Sequence, residues 1–189
     1  MPLRAKQMTP DEFLEYPYLL SDGKAELVRG NLYVFPPPGG PHGRTTTNLV
    51  VLLSNYVEPR ALGWVFGDSV GYELVALPRT VRVPDLSFVQ AGRIPSAGIE
   101  EGLLKFAPDL AVEVLSPWER KTKLEEKLDD YRVSGTPLVW VVDPRRRTVM
   151  VVASNASRRL LNETDMLDGG TVVPGFACRV TELFKGIAR

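Results

Sequence analysis

The sequence predicts a mixed α/β (α+β) fold in which helices flank a central mixed β-sheet, with a β-hairpin near the N-terminus. Three observations lead there. Runs with strand character alternate with stretches of helical period. Two pairs of strand runs are separated by residues suited to tight turns, the signature of antiparallel hairpins. The run Leu110 to Leu115 is apolar at nearly every position, as a strand covered on both faces requires. With 189 residues, 44% of them hydrophobic, the chain can bury on the order of 70% of its unfolded surface as a single domain without disulfide or metal staples.

Thr9-Pro10-Asp11-Glu12 opens the first helix: Thr9 caps it, proline suits the first helical position and Glu12 closes a capping box, with the helix running to Tyr16. Ala25–Val28 and Leu32–Phe35 flank Gly30-Asn31, a dipeptide that tolerates the positive backbone angles of a hairpin turn. Pro36-Pro37-Pro38-Gly39-Gly40-Pro41 stops regular structure, after which Leu49, Leu52, Leu53 and Tyr56 set a helical period over about 43–58. Strands are expected at Trp64–Phe66, Tyr72–Ala76, Val83–Val89 and Leu110–Leu115. On the helix expected over Pro117–Val133, Leu124, Leu128 and Tyr131 form one stripe while Glu126, Asp129 and Asp130 point away, and Gly135 ends it. Leu138–Val142 and Thr148–Val152 make a second hairpin about Asp143-Pro144-Arg145-Arg146. Weaker strand signals reach Val173, and a short helix is expected near Val180–Phe184.

Composition excludes several function classes. Twenty-three Lys and Arg balance 23 Asp and Glu, so no global basic field draws the chain to nucleic acid, and any such binding needs a local patch. One cysteine, Cys178, and one histidine, His42, exclude an internal disulfide and the Cys/His zinc constellations. Any metal needs oxygen ligands. The N-terminal residues lack an apolar core of the signal-peptide kind and no run approaches 18 apolar residues, so a cytoplasmic location is expected.

Charge inside apolar strands carries the chemistry, because an ionised carboxylate in a core is costly unless it is paired or binds a cation. Glu113 stands in the middle of Leu110–Leu115. Asp85 stands in Val83–Val89 beside Pro84, which cannot donate a ladder hydrogen bond. If the two strands are neighbours and both acids face one side, they can converge on one hard divalent ion, and Mg²⁺ suits such a pair of oxygen ligands. Asp109 lies four residues before Glu113, about 13 Å along a strand, too far to share that ion. On the following helix, at roughly 100° per residue, Lys127 lies about 40° from Tyr131 and about 60° from Leu124, at the edge of the buried stripe. From there its ammonium can reach the carboxylates. Two acids, a hard metal and a lysine suit metal-assisted phosphodiester hydrolysis.

Pro84-Asp85, the segment Glu113 to Pro117, Lys127 with Tyr131, the run Gly135 to Pro144, and Glu26 near Gly30 together resemble the Uma-type endonucleases, a family within the restriction-endonuclease-like PD-(D/E)XK superfamily. The resemblance covers nearly the whole chain. It implies a restriction-endonuclease-like fold and Mg²⁺-dependent cleavage of DNA, with Mn²⁺ as a substitute ion. Asp85 and Glu113 would be the metal ligands and Glu26 an auxiliary acid. A homodimer follows only by analogy with enzymes that cut two strands. The chain departs from the superfamily pattern at Leu115, where a lysine stands two residues after the second acid. In the Uma-type proteins that role falls to the next helix, which matches Lys127. Lys123 occupies a position that is often acidic.

Plainer readings stand beside these. Asp85 and Glu113 could form structural ion pairs with Arg82 or Lys127, Glu26 could be one side of a half-exposed hairpin, and Lys127 could lie along the helix rim. His42 opens a helix, where backbone donors favour anions, so it is a candidate phosphate contact, as is Lys123; both could equally be solvated. Arg145-Arg146-Arg147 and Arg120-Lys121-Thr122-Lys123 are the basic clusters able to grip a DNA backbone. Trp118 and Trp140 read as packing residues and Cys178 as a small buried hydrophobe. Two further functions fit the same residues: a binding module that cleaves nothing, and a glycoside hydrolase with paired carboxylates.

Overall fold

The computed structural model describes residues 7–15, 24–68, 70–99, 101–117 and 121–188. In chain order they form α1 (Pro10–Leu14), β1 (Lys24–Val28), β2 (Asn31–Phe35), α2 (Gly40–Val57), β3 (Gly63–Gly67), β4 (Tyr72–Glu73), β5 (Val81–Arg82), β6 (Leu86–Gln90) and β7 (Leu110–Val114). There follow α3 (Lys121–Val133), β8 (Leu138–Asp143), β9 (Thr148–Ala153), β10 (Arg158–Leu161), β11 (Met166–Asp168) and β12 (Ala177–Arg179), and a 3₁₀ turn over Val180–Phe184. The central sheet has the order β10-β9-β8-β7-β6-β3. It is mixed: β7 and β8 run parallel and every other neighbouring pair is antiparallel. The parallel pair needs a crossover, and α3 supplies it. A smaller antiparallel sheet, β2-β1-β5-β4, sits beside it.

Alternation along the central strands sorts side chains onto two faces. Leu86, Phe88, Leu110, Val112, Leu138 and Trp140 pack against Leu49, Leu53 and Val57 of α2. Ala111, Val139 and Val141 pack on the opposite face against Leu124, Leu128 and Tyr131 of α3. Glu113 shares the parity of Ala111, so it belongs to the α3 face. Among the described residues, no helix is long and apolar enough to cross a membrane.

The structure redraws several boundaries. The capping box of Thr9 and Glu12 forms, with Thr9 N–H on Glu12 at 2.9 Å and Glu12 N–H on Thr9 at 3.2 Å; Tyr16 lies outside the described residues. The first hairpin turns at Arg29-Gly30 rather than Gly30-Asn31. Both central residues take positive φ, 49° and 79°, as the favoured two-residue turn demands, and a Cβ on Gly30 would meet Gln7 Cβ at 2.6 Å. The helix over 43–58 starts earlier, at Gly40. The strand expected at Tyr72–Ala76 stops at Glu73, because the chain turns at once, with Leu77 N–H on Leu74 C=O at 2.7 Å. Val83–Val89 is not one strand: Pro84 breaks it, leaving β5 in the small sheet and β6 in the central one. The C-terminal helix is a 3₁₀ turn, and β12 was without a strong sequence signal. Trp118 and Arg120 lie outside the described residues. Trp140 and Cys178 are buried as read, and burial pushes the Cys178 thiol up to about 12.

Trp140 is fully buried and stacks on Phe176 with ring centroids 5.9 Å apart. Trp140→Ala is expected to cost about 3–5 kcal/mol, measured as a shift in the urea midpoint. A change below about 1 kcal/mol would show that this layer does not anchor the sheet.

Candidate active site

The register of β6 on β7 sets Leu86 opposite Val112, the last pair of that ladder, and Asp85 and Glu113 follow just beyond it on the two segments. At the Pro84 break, Asp85 still donates its N–H to Val112 C=O at 3.0 Å. Its side chain then takes over where the ladder stops: Val114 N–H donates to Asp85 Oδ2 at 2.7 Å. Lys24, at the start of β1, places its ammonium 2.7 Å from Asp85 Oδ1, and His42 Nε2, from the first turn of α2, lies 3.2 Å from Oδ2.

Glu113 points to α3, where Lys127 Nζ donates to Oε2 at 2.9 Å and Tyr131 donates its O–H to Oε1 at 2.8 Å. The Lys127 ammonium also lies 3.4 Å from Glu26 Oε1. Glu26, fully buried, accepts from Arg82 at 2.8 Å and from Val83 N–H at 3.2 Å. Arg82 in turn donates through Nε to Asp130 at 3.0 Å, and Asp130 accepts from Arg29 at 2.8 Å. The expectation that Asp130 points to solvent is therefore wrong. It is fully buried, because the β1-β5 sheet covers that side of α3 and presents two arginines to it.

Asp85, Glu113, Lys24, Lys127 and His42 line one cavity of about 470 Å³. Tyr33 and Phe35 of β2 and the prolines that follow form one wall, Leu115, Ser116 and Pro117 another. Lys123 and Arg145 also border it, the former 4.5 Å above the Tyr33 ring and 2.8 Å from Glu126. Glu26 is set back from the cavity and reaches it through Lys127. Asp109 is elsewhere: it accepts from Gln90 N–H at 2.9 Å and pairs with Arg93 at 2.8 Å.

Electrostatics oppose burial at Asp85, Glu26 and Lys24 and reinforce it at Tyr131. Burial pushes the Asp85 carboxyl up, but Lys24 and the His42 hydrogen bond reverse this and hold it well below the usual carboxylate range. Glu26 follows the same logic, with Lys127, Arg82 and Lys24 outweighing burial. The Lys24 ammonium is held above its ordinary value: burial lowers it, but Asp85 and Glu113 raise it more. Burial first, then Glu113, push the Tyr131 phenol well above 10, so it remains a donor.

Among the described residues, no group of three or more His, Cys, Asp and Glu side chains forms a metal site. Two carboxylates still fit a hard ion that keeps most of its shell as water. An ionised carboxylate offers about four acceptor sites, whereas Asp85 receives three of the donors named above and Glu113 two. Asp85 and Glu113 are thus the residues able to hold Mg²⁺. Lys24 contests that position.

Lys24 carried no sequence signal as a lone lysine before a strand. Arg82 did: it is a charge between two valines, the same anomaly that marks Asp85 and Glu113. Tyr131 read as part of an apolar stripe and, with Lys127, of the family resemblance, but not as a donor to Glu113, since a phenol facing a carboxylate looks identical in sequence to a packed ring.

The Glu26 carboxylate, held low in the folded state, contributes stability that is present above its unfolded value near 4.3 and lost as pH falls below it. Glu26→Gln is expected to cost on the order of 3 kcal/mol at pH 7, since Arg82 and Lys127 each lose one of their two buried carboxylate partners, and to flatten the decline of the urea midpoint between pH 5 and pH 3. An unchanged acid slope would show that Glu26 is not ion-paired.

Comparison with known proteins bears on this geometry. The model of the Uma2 family, described as "Putative restriction endonuclease", matches residues 10–181. A solved structure described as a "putative nuclease belonging to DUF820", from Anabaena variabilis, superposes with a TM-score of 0.80 at 24% identity, covering 94% of this chain and 97% of that one. At that identity the likeness establishes the shared fold. A search of curated proteins finds no significant match. With the family model spanning nearly all of it, the chain belongs to the Uma2 family of restriction-endonuclease type.

Proposed function

We propose that the chain is a metal-dependent nuclease that hydrolyses DNA phosphodiester bonds, using Mg²⁺ or, as a substitute, Mn²⁺. The observation that supports this best is the meeting of Asp85 and Glu113 at one cavity with the Lys127 ammonium on Glu113. Asp85 and Glu113 would hold the ion, which when bound would supply Lewis acidity toward the phosphate oxygens. Lys127 places a positive charge beside the scissile phosphate and orients the attacking water, the role that the lysine missing at Leu115 would otherwise take. Glu26 and Tyr131 are positioning residues: Glu26 fixes Lys127 from a second side, and Tyr131 fixes the Glu113 carboxylate. His42 orients Asp85. Lys123 and Arg145, at the cavity border, can meet the DNA backbone.

Two other readings differ in what they require. A glycoside hydrolase needs one carboxyl kept protonated as the acid, yet Lys24 and the His42 hydrogen bond hold the Asp85 carboxyl low, and Glu113 accepts from the Lys127 ammonium and the Tyr131 hydroxyl. A binding module without catalysis is favoured by one feature, the pairing of each acid with a lysine or arginine, which already balances the charge.

Plasmid DNA incubated with Mn²⁺ is expected to be cut by the wild type, and at least about 100-fold more slowly by Asp85→Ala or Glu113→Ala, with circular dichroism verifying that each variant folds. Equal rates in all three would remove both acids from the chemistry. Because Lys24 competes for Asp85 Oδ1, Lys24→Met is expected to tighten Mn²⁺ binding about tenfold in calorimetry, an energy of about 1.4 kcal/mol. No Mn²⁺ binding by either protein would favour the binding module.

A further inference from the structure

We infer that the cavity receives one unpaired nucleotide, its phosphate beside the Lys127 ammonium and its base on the Tyr33–Phe35 wall, so that single-stranded DNA is the preferred substrate. This rests on the nuclease reading above and narrows it. Gripping a DNA backbone needs only basic and polar donors; apolar walls add nothing to it. Yet the wall beside the carboxylates is built from Tyr33, Phe35 and the three prolines that follow. Tyr33 and Phe35 lie two residues apart on β2, hence on one side of the strand. Both are half-buried, and a lysine ammonium lies over each ring, Lys123 4.5 Å from the Tyr33 centroid and Lys127 5.7 Å from that of Phe35, so a base reaching either ring meets a cation there.

Cationic side chains are close at hand for a phosphate. Those of Lys24, Arg82, Lys123, Lys127 and Arg145 line the cavity with the two carboxylates, and Glu26, Asp130 and Glu126 pair with Arg82, Lys127 and Lys123 from outside that lining. The aromatic wall is tied directly to the reacting end, since Lys127 Nζ lies 5.7 Å from the Phe35 ring centroid and 2.9 Å from Glu113. A base resting on Phe35 therefore leaves its own phosphate within reach of Lys127. Intact duplex offers no such base, because its ring faces are stacked on their neighbours and must first be extruded at a cost of a few kcal/mol. A single strand presents them freely, and aromatic side chains bind them with little regard to sequence.

The test uses the wild-type chain in EDTA, where binding is read without cleavage. The probes are an oligodeoxynucleotide containing 2-aminopurine and the same oligonucleotide annealed to its complement. The single strand is expected to bind at least about tenfold more tightly, with a change in 2-aminopurine fluorescence as the base stacks. Tyr33→Leu and Phe35→Leu are each expected to weaken single-strand binding about tenfold and to leave duplex binding unchanged. Both replacements keep an apolar side chain, and thermal melting verifies the fold. Equal affinity for duplex, or variants that bind the single strand as the wild type does, would overturn the inference. Parallel incubation with Mn²⁺ separates the two ideas. Stacking without cleavage would retain the nucleotide pocket and remove the nuclease reading, whereas cleavage of duplex with no single-strand preference would do the reverse.

Discussion

A buried carboxylate is tolerable only when positive charge and donors surround it, and that constraint organises this molecule. Lys127 stands between Glu113 of the central sheet and Glu26 of the small sheet, so one ammonium from α3 ties three elements together. The pattern continues outward through Arg82, shared by Glu26 and Asp130, to Arg29 on the hairpin turn. Each charge in the series has opposite neighbours, and none can be removed without stranding another. Apolar packing on the α2 face holds the central sheet, and Tyr72 of β4 shares an apolar cluster with Leu124, Leu128 and Tyr131 of α3; the polar series adds charge contacts that join the small sheet to α3 beside the cavity.

The Pro84 break is the second half of the arrangement. A continuous strand would spend the Val114 N–H on an ordinary ladder bond. By ending β5 and restarting at β6, the chain lets the Asp85 side chain accept that donor, which aims a carboxylate along the sheet edge toward Glu113. Proline supplies the break because it has no N–H to contribute. The motif Pro-Asp thus has a mechanical meaning: the first residue opens the ladder and the second fills the opening with charge.

Most of the fold was legible because hydrophobic period is a local property. α2, α3 and the β8-β9 hairpin each declare themselves within about ten residues, and they were found with only terminal shifts. Asp85, Glu113 and Lys127 were legible for a related reason, since a charge in an apolar run violates the local rule and so advertises a compensating partner. What stayed hidden depends on distant neighbours. Asp130 looked solvent-facing because its own helix offers no hint that Arg82 and Arg29 will cover it. Val81 and Arg82 were left outside the expected strands because nothing local says that Val81 pairs with Leu27 of β1 in another sheet. Lys24 was invisible for the same cause: its meaning comes from an aspartate 61 residues away.

The central physical claim is that Asp85 and Glu113 share one cation. It is tested most directly by crystals of the wild-type chain soaked in Mn²⁺ and measured for anomalous scattering at the manganese edge. The result expected is a single peak within about 2.3 Å of a carboxylate oxygen from each acid, with the Lys24 ammonium moved off Asp85. No peak at saturating Mn²⁺, or a peak bound to one acid while the other keeps its lysine, would contradict it.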